Sequence, residues 1–192
     1  MTTAIQPITG TTTWALDPAH SHVEFAVKHL MISNVKGRFG EMTGTLKGNL
    51  DEPERFNLDV SITTDSIDTR QAQRDAHLRS ADFFDAERWP TIRFVGKRID
   101  GDVNGEFSLI GELSIRDVTR EVKLDVTNEG AVTDPWGNSR IGFSAQGKID
   151  RREFGLTWNQ ALEAGGFVVG DEIKISIDAE FTAQAEEAKE AA

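Results

Sequence analysis

The chain has 192 residues, with 32 Asp and Glu against 21 Lys and Arg, for a formal net charge of −11. Nucleic-acid binding needs clustered cations, so this balance argues against a DNA or RNA partner, and against docking of the chain by charge on an anionic membrane. It holds no cysteine, which excludes disulfides, thiolate nucleophiles and Cys-ligated zinc or iron–sulfur centres.

The N-terminal "MTTAIQPITGTTTW" has neither Lys nor Arg and no apolar run, so it does not read as a secretory signal; residues 1–12 are expected to be flexible. No stretch of 18 apolar residues exists to span a bilayer. A soluble, cytoplasmic chain without a cofactor is the expectation.

The stretch "DPAHSHVEFAVKHL", residues 17–30, holds three of the four histidines. On a strand, Val23, Phe25 and Val27 face one side and His22, Glu24, Ala26 and Lys28 the other. His20, His22 and Glu24 share a parity, as two imidazoles and a carboxylate around a metal would. A metal-dependent enzyme using these three is therefore one reading; polar positions on a rim or outer face are the other. His29 has the opposite parity and joins the Val27 side.

Between Val35 and Leu50 the parity breaks. Val35, Gly37 and Phe39 are odd, whereas Met42, Gly44, Leu46 and Leu50 are even. One inserted residue near Gly40 or Glu41, a β-bulge, is the expected cause. Phe56, Leu58, Val60 and Ile62 form the next apolar row.

Asp68 to Asp85 lacks the two-residue period. Ala72, Ala76, Leu78, Ala81 and Phe84 fit a helical stripe, Asp68 or Thr69 can cap it, and Pro90 ends the excursion. On it, His77 sits among Arg74, Asp75 and Arg79. That is either a solvated helix face or a polar clamp at a cavity mouth.

Alternation then resumes. Ile92 and Phe94 start a row that dissolves at Gly96. Further rows are Phe107, Leu109, Gly111, Leu113 and Ile115; Val122, Leu124 and Val126; Ile141, Phe143, Ala145, Gly147 and Ile149; and Ile173, Ile175, Ile177, Ala179 and Phe181. Phe154 and Trp158, in "REFGLTWN", can cap one end of a barrel with the glycines of "AGGFVVG". Residues 184–192 read as a small, charged tail.

Turn signals at "DEPE", "DGDVNG", "IRDVT" and "TDPWGN" give hairpin-like spacing, hence an antiparallel sheet. Many long strands with few edge-blocking devices favour closure into an all-β barrel, one domain over residues 13–183. A small barrel either fills its interior or leaves a hole for one ligand. Small residues on the inward rows (Gly44, Gly111, Ala145, Gly147, Ala179) point to a lumen, or else mark bends. There is no phosphate loop and no G-x-S-x-G elbow, and Ser21 faces away from its neighbours His20 and His22.

Four segments carry a resemblance. Trp14, Leu16, Asp17, His20, Ser21, Val23, Phe25, Val27 and His29 fit W-x-[IL]-D-x-x-H-S-x-[IV]-x-F-x-[IV]-x-H. With them go "RDAHLRSADFFDAERWPTIRF", "DPWGNSRIGFSAQGKIDRREFGL" and "VGDEIKISIDAE". From about Thr13 to Thr182 the sequence resembles the YceI-like, polyisoprenoid-binding family. The resemblance implies an extended, lipocalin-like antiparallel barrel of eight strands with a short helical excursion. It also implies a long-chain isoprenoid lipid in the lumen, a polyprenyl phosphate or a quinone tail, held for storage, transport or protection without catalysis.

The expected lumen contacts are Val23, Phe25, Val27, Phe39, Met42, Leu46, Ile62, Ile92, Phe94, Phe107, Leu109, Leu113, Ile141, Phe143, Ile175 and Ile177, with Phe154 and Trp158 at one end. His29, His77 and Arg79 are the candidates for the mouth and the head group. The alternative is a barrel with a filled core acting through protein contacts, and either a monomer or a homodimer fits the sequence.

Overall fold

A computed structural model describes residues 12–48, 55–161 and 165–184. The proposed flexible N-terminus and charged tail therefore lie outside the described residues, apart from Thr12 and Gln184 at their edges. The strands are β1 (Thr12–Leu16), β2 (His22–His29), β3 (Ser33–Phe39), β4 (Met42–Gly48), β5 (Asn57–Thr63), β6 (Ile67–Asp68), β7 (Thr91–Gly101), β8 (Glu106–Ile115), β9 (Val118–Thr133), β10 (Ser139–Asp150) and β11 (Val169–Ala183). One α-helix, α1 (Ala72–Arg79), lies between β6 and β7.

Every pairing is antiparallel, and the sheet closes because β11 pairs both β10 and β1. The eleven strands make eight staves. β11 meets β1 through Leu16↔Phe181 and β2 through Val23↔Ile177, so β1 and β2 are one bent stave. Ala15↔Thr45 and Val23↔Phe39 join β3 and β4 in the same way. Met42↔Ile62 and Phe39↔Ile67 join β5 and β6. The described residues thus form an all-β, eight-stranded barrel with one short α-helix. The ring closes through β1 and β11, and among the described residues the short β6 is the one strand with a single pairing, to β3.

The three bent staves kink at one level, and this corrects the bulge expected at Gly40 or Glu41. Those two residues are the step between β3 and β4. The Gly40 amide donates to the Ser66 carbonyl at 3.1 Å, and the Thr63 amide to the Glu41 carbonyl at 3.0 Å. The first stave steps at 17–21 and the third at a 3-10 turn, Thr64–Ser66. Inward residues change from even (Leu16, Met42, Ile62) to odd (Val23, Phe39, Ile67) across each step. The parity break is a bend of the wall, not an extra residue in one strand.

True register shifts occur elsewhere. Between Gly96 and Arg98 the β7–β8 register slips, which is why the row of Ile92 and Phe94 fades and resumes at Ile99. A second slip lies at Gly142/Phe143 against β9.

The helix is shorter than the expected segment and is capped differently. The Gln71 side chain accepts from the Arg74 amide. Thr69 instead ties into the helix, donating its amide to the buried Asp75 carboxylate at 2.9 Å, while Arg74 holds the Thr69 carbonyl at 2.8 Å. Asp68 accepts from the Arg70 amide. The apolar Phe83 and Phe84 follow, with Phe84 edge-on to Phe39 at 5.9 Å between ring centres.

Candidate ligand-binding site

Alternation along the staves sends one apolar row of each strand inward, and the rows enclose a cavity of about 300 Å³. Its walls include Val23, Phe25 and Val27 of β2, Ile173, Ile175 and Ile177 of β11, and Phe94, Phe107 and Phe143 of β7, β8 and β10. The β2 and β11 wall residues are half-buried although they point inward. Water reaches them inside the barrel, so the lumen is a hole and not a filled core. Residues closer to the bend, such as Trp14, Met42, Ile62 and Ile92, are buried against one another.

The inward glycines do not themselves form that hole. A Cβ on Gly111 would meet Phe94 Cζ at 2.4 Å, and one on Gly147 would meet Leu124 Cδ2 at 2.6 Å. The space is taken by neighbouring side chains that lie down on the wall, which corrects the reading of these glycines as open volume. Their contribution is indirect: a ring lying flat keeps the lumen clear.

Arg151 is a charged side chain in the cavity wall, 3 % exposed. All five of its N–H donors are used. Nε reaches the Gly170 carbonyl at 2.9 Å, Nη1 the carbonyls of Leu156 and Trp158, and Nη2 the Val169 carbonyl and Asp171 Oδ1 at 3.2 Å. Burial pulls its guanidinium below the ordinary value, and Asp171 opposes that shift. Arg151 thus knots the 3-10 turn Arg151–Phe154 and the segment 156–158 to the start of β11, closing part of one end.

Residues 14–181 match the YceI-like domain family. The chain belongs to the YceI-like family. A UPF0312 protein of Staphylococcus aureus strain USA300 is 36 % identical over 172 residues, covering 89 % of this chain and 98 % of that protein. Among solved structures, a Campylobacter jejuni YceI protein is 32 % identical, with a TM-score of 0.69 over 82 % of this chain and 90 % of the other. A polyisoprenoid binding domain from Saccharophagus degradans shares the fold at 13 % identity, with a TM-score of 0.66 over 90 % and 99 % of the two chains.

In this YceI-like barrel Phe39, Met42, Leu46, Ile62, Ile92, Leu109 and Leu113 also line the cavity, with the β2, β11 and phenylalanine positions above. Ile141 and Phe154 do not; both are buried in the packed cluster around Trp14. Trp158 lies off the lumen, against His77 at 4.7 Å and Phe83 at 5.3 Å between ring centres. Leu78, Phe83 and Phe84 reach the lumen from the excursion instead.

Of the three head-group candidates, Arg79 holds the Asp65 and Ile67 carbonyls through Nε and Nη2 at 2.8 and 2.9 Å and latches the helix to the third stave. His77 bonds Asp82 at 2.9 Å and stands edge-on to Phe83. His29 ends β2, paired with Ser33 and Val169.

The proposed metal set does not form. β2 starts at His22, so His20 sits in the preceding step and shares no strand face with His22 and Glu24. Among the described residues, His20 groups instead with Asp17 and Glu180. Arg140 already fills that cluster: Nη1 binds Asp17 at 2.8 Å and also Glu180, and Nε binds Asp134 at 2.8 Å. A guanidinium there supplies the positive charge that a metal would bring. Ser21 is structural, accepting the Glu180 amide at 3.0 Å across the bend.

Sequence reasoning missed Arg151, Leu78 and Phe83 as parts of the site. Leu78 sits on the helical stripe, whose inward direction the sequence does not give, and Arg151 and Phe83 lie where no period marks them.

Proposed function

We propose that the barrel binds a long-chain isoprenoid lipid in its lumen, without catalysis, for storage, transport or protection. The observation that carries this reading is the apolar, water-accessible cavity inside a closed barrel. The fold shared with a polyisoprenoid binding domain supports the same class of ligand. The functional unit would be the single domain from residue 13 to 183. The mechanism is burial. Each CH₂ removed from water contributes about 0.8 kcal/mol, offset by the torsions the chain loses on binding. A polyprenyl phosphate or a quinone tail satisfies this equally, because the wall recognises chain, not head group. His29 and His77 stand at the same end of the barrel as candidates for the polar group.

Mass spectrometry of organic extracts from the purified protein tests the reading. A co-purifying isoprenoid, or stoichiometric uptake of added polyprenol, is the expected result. Neither a bound lipid nor uptake would overturn it. Elemental analysis of the same sample separates the enzyme alternative: stoichiometric metal lost in a His20→Ala/His22→Ala variant would favour metal chemistry.

A further inference from the structure

Large apolar side chains that play no part in the lumen stand at the end of the barrel where β2 turns into β3. Met31 and Ile32 are 62 % and 83 % exposed, and Phe167, on the segment entering β11, is 55 % exposed. The two segments are neighbours. The Leu30 amide donates to the Val168 carbonyl at 2.9 Å, and a Cβ on Gly166 would stand 3.9 Å from Met31 Cγ. Single exposed apolar residues are ordinary; adjoining ones mark an interaction surface.

The turn is displayed against backbone preference. Leu30 and Met31 both have left-handed φ, 51° and 63°. Asn and Gly enter that region easily, whereas each branched or long residue there costs about 1–2 kcal/mol. The patch also continues the lumen wall. Val27 and Val169 line the cavity, and Val169 pairs with His29 beside the turn.

Charge identifies the partner. From Phe25 to Gly40 the chain has no Asp or Glu but carries Lys28, Lys36 and Arg38, in a protein of net charge −11. Arg38 is paired with Asp68. Lys28 and Lys36 are exposed on the outer face, and no ion pair to either is found among the described residues. At physiological salt the screening length is about 8 Å, so the charges at the tip, not the total, decide what it meets. The sequence expectation against membranes concerned the whole chain; the stretch from β2 to β3 differs from it, and the acidic Asp171 and Glu172 of the adjoining β11 are held by Arg151, Arg152 and Lys148.

We propose that the β2–β3 turn, with Phe167, docks on an anionic lipid bilayer. Met31, Ile32 and Phe167 enter the interfacial layer, while Lys28 and Lys36 lie among the head groups. The lumen then faces the phase from which its ligand is drawn. The purpose of docking rests on the lumen reading; the docking itself does not.

Co-sedimentation of the full chain with vesicles tests it, using phosphatidylcholine alone and with about one-third phosphatidylglycerol. More protein is expected on the anionic vesicles. A Met31→Ser/Ile32→Ser/Phe167→Ser variant should lose at least about tenfold in partitioning. Lys28→Glu/Lys36→Glu should abolish the preference for anionic lipid. Trp136→Ser, an exposed residue at the opposite end of the barrel, should change nothing. Wild-type protein that ignores both vesicles, or a triple variant that binds as well as wild type, overturns the proposal. So does a dimer, seen by light scattering, that the triple variant alone dissociates, because the patch is then covered by a second copy. Uptake of polyprenol added from ethanol is measured in parallel. Uptake without vesicle binding removes the docking and keeps the lumen reading; vesicle binding without uptake does the reverse.

Discussion

The ring of Phe94 lies across Gly111 on the neighbouring stave, with its Cζ 2.4 Å from where a Cβ on Gly111 would stand. The Val95 carbonyl is only 2.6 Å from the same point. A cross-strand ring covering a glycine restores the contact surface that glycine lacks, and the ring stays on the wall.

Gly111→Ala therefore has nowhere to put its methyl group. The ring must rotate into the lumen or the strands must part, and overpacking of this kind costs about 1–3 kcal/mol. Urea unfolding should show that loss, with polyprenol uptake reduced in the folded remainder. Wild-type stability in this variant would show that Phe94 has another resting place.

Arg151 gives a second prediction. Its five donors serve four carbonyls and one carboxylate across two chain segments. Arg151→Met leaves those acceptors buried without donors, at a cost of about 2–5 kcal/mol. Arg151→Lys keeps the charge but offers three donors from one atom, so it should recover only part of the loss. Protease cutting within 155–170 would report the loosened segment. A lysine variant as stable as wild type would show that charge, not the fork, holds this end.

How much of this was legible in the sequence divides along the period of two. Strands with an unbroken row, such as that from Phe107 to Ile115, could be read directly together with their inward faces. The shared bend could not, because one stave shows only a local parity change; three staves changing at one level is a property of pairing. The same limit hid Arg151, whose partners lie up to 20 residues away in segments without period. It also produced the false metal set, since the parity of His20 has meaning only if residue 20 is in the strand, and the strand starts at His22. The lumen itself was inferred from small inward residues, yet at Gly111 and Gly147 the space is filled by neighbours.

The cluster around Arg140 makes stability depend on pH. Hydrogen bonds from His20 and then Arg140 hold Asp17 down to about 2. Arg140, followed by Asn138, holds Asp134 well below the usual carboxylate range. Both carboxylates are more acidic folded than unfolded, so the unfolded chain binds protons first as pH falls. Their stabilisation is complete above about pH 5, where unfolded Asp is ionised, and is lost as pH drops through 4 toward 2. The thermal midpoint should therefore be flat above that window and fall within it. An Asp17→Asn/Asp134→Asn variant should start lower and fall less steeply. Equal slopes would assign the acid sensitivity to other carboxylates.

The wall of β2 and β11 offers the most direct probe of the lumen. Val23 and Ile177 are cross-strand partners, both half-buried and both facing the cavity. Ile177→Glu puts a carboxylate where water still reaches, so the barrel should fold. A lipid chain entering must strip that water, and an unpaired charge in an apolar cavity costs far more than one lost methylene contact. Polyprenol affinity at pH 8 should drop at least about a hundredfold. The ligand also favours the neutral acid, which raises the carboxyl's pKa in the complex, so affinity should return as pH falls toward 5. Lys174→Glu, on the same strand with its side chain outside, controls for added negative charge and should bind as wild type does. Unchanged affinity in Ile177→Glu would place the ligand elsewhere on the molecule, whereas loss in both variants would trace the effect to net charge.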